Sequence, residues 1–183
     1  MPQKICVALG EVDQYPKQKA AGNAGDIVQA ASNDHIYYYH VDSCMAVALY
    51  PEAKISGKVE CVGIHISMRG PKDEWKDPVG SAAYYIKKLE QLAPDAKWKY
   101  AAFVGGGNDW SKAACTFVKE MKIQNASFVN HGETTDVWAA TNGEIKLTPY
   151  KSTLCLAPGL VVTKSINAKQ KNGYDGHCDP QYL

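Results

Sequence analysis

The chain reads as a mixed α/β protein of two β-sheets stacked face to face, with helices outside, and three observations lead there. Strand-like runs dominate, many alternating apolar and polar residues with a period of two. Two amphipathic helical stretches stand together in the middle of the chain. An Asn142-Gly143 pair between two short apolar runs is the strongest hairpin signal present. Stacked sheets flanked by helices bury both the strand faces and the helix stripes. A length of 183 residues suits one domain with a sizeable core, so residues 1–183 are taken as a single unit ending in an irregular tail over 167–183.

Taken in order, Ile5 to Val12 reads as a short buried strand, and Asp13 to Asp26, with Pro16, Gly22 and Gly25, as a loop, or a helix only at its end. Ile36 to Val41 is tyrosine-rich, and Tyr37, Tyr38 and Tyr39 are strand residues packing on both faces. It leads into Cys44 to Tyr50, answered after the eight-residue Pro51–Lys58 connection by Val59 to Ile66. Ser67 to Lys76 is a loop overhanging this pair of strands. Asp77-Pro78 supplies a cap and a first-turn proline for a helix carrying Ala82, Tyr85, Ile86, Leu89 and Leu92, which Pro94 ends. Lys99 to Val104 is a strand running into Gly105-Gly106-Gly107, followed by a helix with Trp110, Ala113, Ala114, Phe117, Val118 and Met121 on one stripe. Ser127 to Asn130, Val137 to Ala140 and Glu144 to Leu147 are strands, and Ser152 to Leu156 and Leu160 to Lys164 add two more.

Composition narrows the function. The formal charge is +1 with no long basic or acidic block, so nucleic acid and anionic membranes are not expected partners. The longest apolar runs are too short to span a bilayer. The N-terminal stretch lacks a sustained apolar core followed by a cleavage site, which points to a cytoplasmic protein or one exported without a classical signal. Six cysteines, at 6, 44, 61, 115, 155 and 178, are dispersed and form no CxxC pair, so free thiols are expected.

The chemistry centres on two of these strands. Alternation puts Met45, Val47 and Leu49 on one face of the first, and Cys44, Ala46, Ala48 and Tyr50 on the other. In the second, Cys61, Gly63 and His65 oppose Val62, Ile64 and Ile66. If Tyr50 faces Val59, antiparallel pairing carries Ala46 to Gly63 and Cys44 to His65, with Cβ atoms about 5 Å apart. The small residues Ala46, Ala48 and Gly63 would then leave room above the pair for a substrate. A thiol beside an imidazole is the arrangement for nucleophilic attack on an amide. Backbone N–H groups from Ser43 to Met45 are the donors for the oxyanion. Tyr38, His40 and Asp42 lie close upstream, and any of them would serve to hold the ring.

Other features point to structure. Gly105-Gly106-Gly107 lacks the spacing of a dinucleotide or P-loop motif and reads as a tight turn. Cys61, His65, His177 and Cys178 match no zinc pattern, so neither metal nor cofactor is expected. His131 reads as a turn residue, and the Asn125-Ala126-Ser127 sequon has no secretory context.

Cys6 to Glu11, Asp42-Ser43-Cys44-Met45-Ala46-Val47-Ala48-Leu49-Tyr50 and Gly63-Ile64-His65 resemble the chemoreceptor glutamine deamidases (CheD) over about residues 5 to 147. The resemblance implies an α/β/β/α sandwich, shared with toxin deamidases of the cytotoxic necrotizing factor type. It implies that Cys44 attacks a glutamine side-chain amide while His65 acts as base and then acid. Tyr38 falls where the family's histidine-orienting threonine stands, Asp42 where it has glycine, and His40 where it has a small residue. The expected partner is a target protein presenting an exposed glutamine, and a toxin or effector role fits as well as chemotaxis. Two alternatives stand beside this reading: another cysteine hydrolase or transglutaminase-like acyl transferase, and a non-catalytic protein-binding domain of the same fold.

Overall fold

A computed structural model describes residues 4–8, 24–67, 77–106, 110–131, 134–149, 162 and 164–169. The strands are β1 (Ile5–Ala8), β2 (Ala24–Gly25), β3 (Ile27–Ala31), β4 (His35–Val41), β5 (Met45–Pro51), β6 (Val59–Ile66), β7 (Trp98–Gly105), β8 (Asn125–Asn130), β9 (Thr135–Ala140), β10 (Glu144–Pro149) and β11 (Lys164–Asn167). The helices are α1 (Pro78–Leu92) and α2 (Ser111–Glu120). A six-stranded sheet runs β11-β10-β9-β4-β1-β2 and a five-stranded sheet runs β3-β6-β5-β7-β8. Both are mixed: β1 is parallel to β2 and β4, and β7 to β8. The remaining pairs are antiparallel.

The alternation of β5 and β6 decides the layering. Met45, Val47, Leu49, Val62, Ile64 and Ile66 pack with Tyr85, Ile86 and Leu89 of α1 and Phe117 of α2. Each such side chain, fully buried, contributes about 1.5–3 kcal/mol. The opposite face, with Ala46, Ala48, Tyr50 and Cys61, meets Ile36, Tyr38, Val137, Ala139 and Leu147 of the six-stranded sheet. Tyr37 and Tyr39 pack on the far side of that sheet with Val7, so the tyrosine run does fill both faces.

Stacked sheets and helices are therefore present, but the four-layer order is not seen among the described residues. Both helices pack on the five-stranded sheet and against each other, giving β/β/α. A helical stripe marks what is apolar, not which sheet it will cover.

Local signals explain most of the elements. Asp77 Oδ1 accepts the N–H of Gly80 at 2.6 Å, Pro78 opens α1, and the helix stops at Ala93 before Pro94. Gly143 takes φ +97°, where glycine is favoured, and Glu144 N–H donates to Asn142 Oδ1 at 3.0 Å to close the β9–β10 hairpin. β3 is not among the expected strands: the sequence assigns nothing between the loop ending at Asp26 and the tyrosine strand beginning at Ile36. A strand falls at Lys164–Asn167, sharing Lys164 with the expected Leu160 to Lys164 strand and taking in the first residue of the expected tail; apart from Val162 and Lys164, the expected strand lies outside the described residues. The Ser67–Lys76 loop beyond Ser67, the Ser152–Leu156 strand, His177, Cys178 and the rest of the tail beyond Lys169 lie outside the described residues.

Candidate active site

The Asp42–Cys44 bend joins β4 to β5 at one end of the sandwich. The ends of β1, β6, β7 and β8, the start of β9 and the N-terminus of α2 all reach the same end. Two cavities, of about 370 Å³ beside Glu52–Ser56 and Leu92–Lys97 and about 550 Å³ beside Tyr50, Lys99, Tyr100 and Asn142, lie at the opposite end of β5.

Cys44 and His65 are not the directly opposed pair expected. Ala46 faces His65 and Ala48 faces Gly63, a register two residues away from the expected one. The connection decides this. It closes its own tight turn, with Ile55 and Val59 exchanging backbone hydrogen bonds around Ser56 and Gly57, while Glu52 N–H bonds the Lys97 carbonyl. The surplus residues therefore bulge out on the β5 side. A two-residue offset preserves every side chain's face; the ladder begins at Met45, so Cys44 stands in the bend one residue before it, and extending the register puts it diagonal to His65. Diagonal positions lie about 7–8 Å apart, and no hydrogen bond joins the two groups: His65 Nε2 has no partner among the described residues.

The room expected above the pair is also filled. A Cβ on Gly63 would come within 2.6 Å of Ile36 Cγ2 and 2.7 Å of the Tyr38 hydroxyl. The small residues of β5 and β6 receive side chains of the other sheet, leaving Ala46 and Ala48 2% and 3% exposed.

His65 is held by a group the sequence did not single out. Its Nδ1 lies 3.0 Å from the main-chain oxygen of Ala8, at the end of β1. A carbonyl only accepts, so Nδ1 carries the proton and Nε2 presents its lone pair. Burial pushes the ring's pKa down to about 4, with nearby His40 adding to the effect and the Ala8 bond opposing it. His65 is therefore a neutral base of fixed tautomer, 2% exposed.

The three expected ring holders do other work. Tyr38 donates its hydroxyl to the Val47 carbonyl at 2.6 Å inside the inter-sheet core, so it does not orient His65. His40 takes φ +58°, and its N–H donates to Asp136 Oδ1, whose Oδ2 accepts the Tyr37 hydroxyl at 2.6 Å. Asp42 is exposed and accepts from Thr134 Oγ1 at 3.0 Å.

Cys44 is half-buried, and Met45 starts the ladders, paired with Ile66 and Gly105. Desolvation pushes the Cys44 thiol up to about 11, the Asp42 carboxylate adds to this, and a hydrogen bond with the Ser43 side chain opposes it. With the imidazole near 4, moving the proton from sulfur to ring before any contact costs roughly 10 kcal/mol. The resting pair is neutral thiol and neutral imidazole. Alkylation of Cys44 by iodoacetamide should therefore climb about tenfold per pH unit from neutral pH to beyond pH 9, with no plateau near neutrality. A plateau below pH 8, read by mass mapping against Cys6 and Cys61, would show a resting ion pair instead.

Comparison with known proteins names no family. No family model matches the chain, and no curated protein matches it significantly. Among the described residues no helix is long and apolar enough to cross a membrane. The expectation that all thiols are free fails at Cys115, which is disulfide-bonded; Cys6, Cys44 and Cys61 are free. Dispersal along the sequence says nothing about proximity in space.

Proposed function

We propose that the chain is a cysteine-dependent amide hydrolase that converts glutamine side chains of a target protein to glutamate. The observation that carries this is a buried imidazole whose Nδ1–H is tied to a main-chain carbonyl, leaving Nε2 without a partner among the described residues at the end of the sheet where a half-buried thiol stands in the bend just before β5. A buried nitrogen without a partner costs about 1–3 kcal/mol, a cost that a proton-accepting role explains.

In the reaction, Cys44 swings toward His65 and its proton passes to Nε2 as sulfur bonds the glutamine amide carbon. The oxyanion is met by the Cys44 backbone N–H. Collapse expels ammonia, which takes the proton from Nε2, and leaves a thioester. Water then gives a proton to Nε2 and attacks the thioester carbon; the glutamate departs as the thiol is restored. The high thiol pKa requires proton transfer and attack to be concerted.

A second reading, a non-catalytic binding domain, is favoured by the near-complete burial of His65 and the absence, among the described residues, of a hydrogen bond from its Nε2 to sulfur. The Cys115 disulfide favours an exported protein over a cytoplasmic one. Incubation with a glutamine-rich protein such as casein separates the readings. Ammonia release with Gln-to-Glu conversion, lost after Cys44 is alkylated, supports the hydrolase; peptide cleavage or amine incorporation would identify the other cysteine enzymes. No turnover with any of these readouts would leave the binding domain.

A further inference from the structure

Three successive carbonyls, those of Asp42, Ser43 and Cys44, face the junction between β7 and α2. The Cys44 oxygen accepts the Gly106 N–H at 2.9 Å, carrying the β5–β7 ladder one residue past its last pair. The Ser43 oxygen accepts the indole N–H of Trp110 at 3.2 Å. A Cβ on Gly106 would fall 1.5 Å from the Asp42 oxygen, so this glycine permits the approach. Trp110 is fully buried, and its Cβ and Cδ1 would each lie 3.1 Å from a Cβ on Gly105, which seats the ring.

The Ser43 carbonyl and the Cys44 N–H belong to one peptide unit. The chain has no cis bond among the described residues, so in this unit the two groups point in opposite directions. Holding the oxygen against the indole therefore aims the N–H away from Trp110. That N–H makes no hydrogen bond among the described residues.

We propose that Trp110 is a positioning residue: its indole N–H locks the Ser43–Cys44 peptide so that the Cys44 N–H is presented as the oxyanion donor. Its catalytic half rests on the amide-hydrolase reading above. The peptide lock itself does not, which makes the two separable.

The test is Trp110→Phe, which keeps an aromatic ring and removes the donor, in the full chain labelled with 15N-cysteine. The Cys44 amide resonance is expected to shift and its hydrogen exchange to quicken, while the Cys6 and Cys61 amides stay in place. With casein as substrate, kcat is expected to fall about tenfold to a hundredfold with KM unchanged, as for a misdirected oxyanion donor. An unmoved Cys44 amide overturns the proposal, as does an unchanged kcat in an active enzyme. If the wild type releases no ammonia, the hydrolase reading and the catalytic half fall together, and the amide alone decides the lock. Should Trp110→Phe not fold, the sulfur isostere of tryptophan, benzothienylalanine, placed at position 110 retains the shape without the N–H and is read in the same way.

Discussion

Cys44→Ala is expected to abolish ammonia release from glutamine, and His65→Gln to lower kcat by about 10²–10⁴-fold, the usual worth of a general acid–base group. Glutamine is the informative replacement because it keeps a polar side chain of similar length yet cannot take up a proton. Retained activity in His65→Gln would remove the imidazole from the mechanism. Stability gives an independent check. The native ring titrates at about 4 where a free histidine titrates at 6.5. The unfolded chain therefore binds a proton below about pH 6.5 that the folded chain refuses until about pH 4. Stability contributed by the neutral ring is full above that window and is lost as pH falls through it, by about 3 kcal/mol in all. Denaturant titrations of His65→Gln should lack this decline; an identical decline in both proteins would place the acid sensitivity elsewhere.

Gly106→Ala is expected to cost about 3 kcal/mol or more of stability, or about 6–12 °C in Tm for a chain of this size. The new methyl would overlap the Asp42 carbonyl, with oxygen at 1.5 Å and carbon at 2.4 Å. Both partners are main chain, so neither escapes by changing rotamer. The clash is relieved only by parting β7 from the Asp42–Cys44 bend, which breaks the Gly106 N–H bond to Cys44. Gly57 is the control: it has φ +73° but open space, so Gly57→Ala should lose only about 1–2 kcal/mol. Equal losses in the two variants would show that the bend yields freely.

Periodicity revealed most of the elements because burial on one face writes itself into side chains. The β5 and β6 faces, the Asp77 cap and the Asn142-Gly143 turn were all legible for that reason. β3 was not: Ile27-Val28-Gln29-Ala30-Ala31 alternates burial, but its alanines are too weakly apolar to mark a strand. The β5–β6 register was hidden because the turn at Ser56-Gly57, not the length of the connection, sets it. At the site, sequence drew attention to Cys44 and His65 as side chains. What holds them is largely main chain, the Ala8 oxygen and the Gly106 N–H, and backbone groups leave no residue-type signature. Trp110 carried a signal, but its place on the helix stripe accounted for it as core. Asp136, buried and bonded to both Tyr37 and His40, went unmarked because its partners are remote in sequence.

The imidazole and the oxygen that fixes its proton belong to different leaves of the sandwich: His65 to the five-stranded sheet, Ala8 to the six-stranded one. A shear between the leaves would lengthen that bond and release the ring from its fixed tautomer. Contacts such as Gly63 under Ile36 and Tyr38, which keep the leaves in step, thereby act as a dial on where a single proton resides.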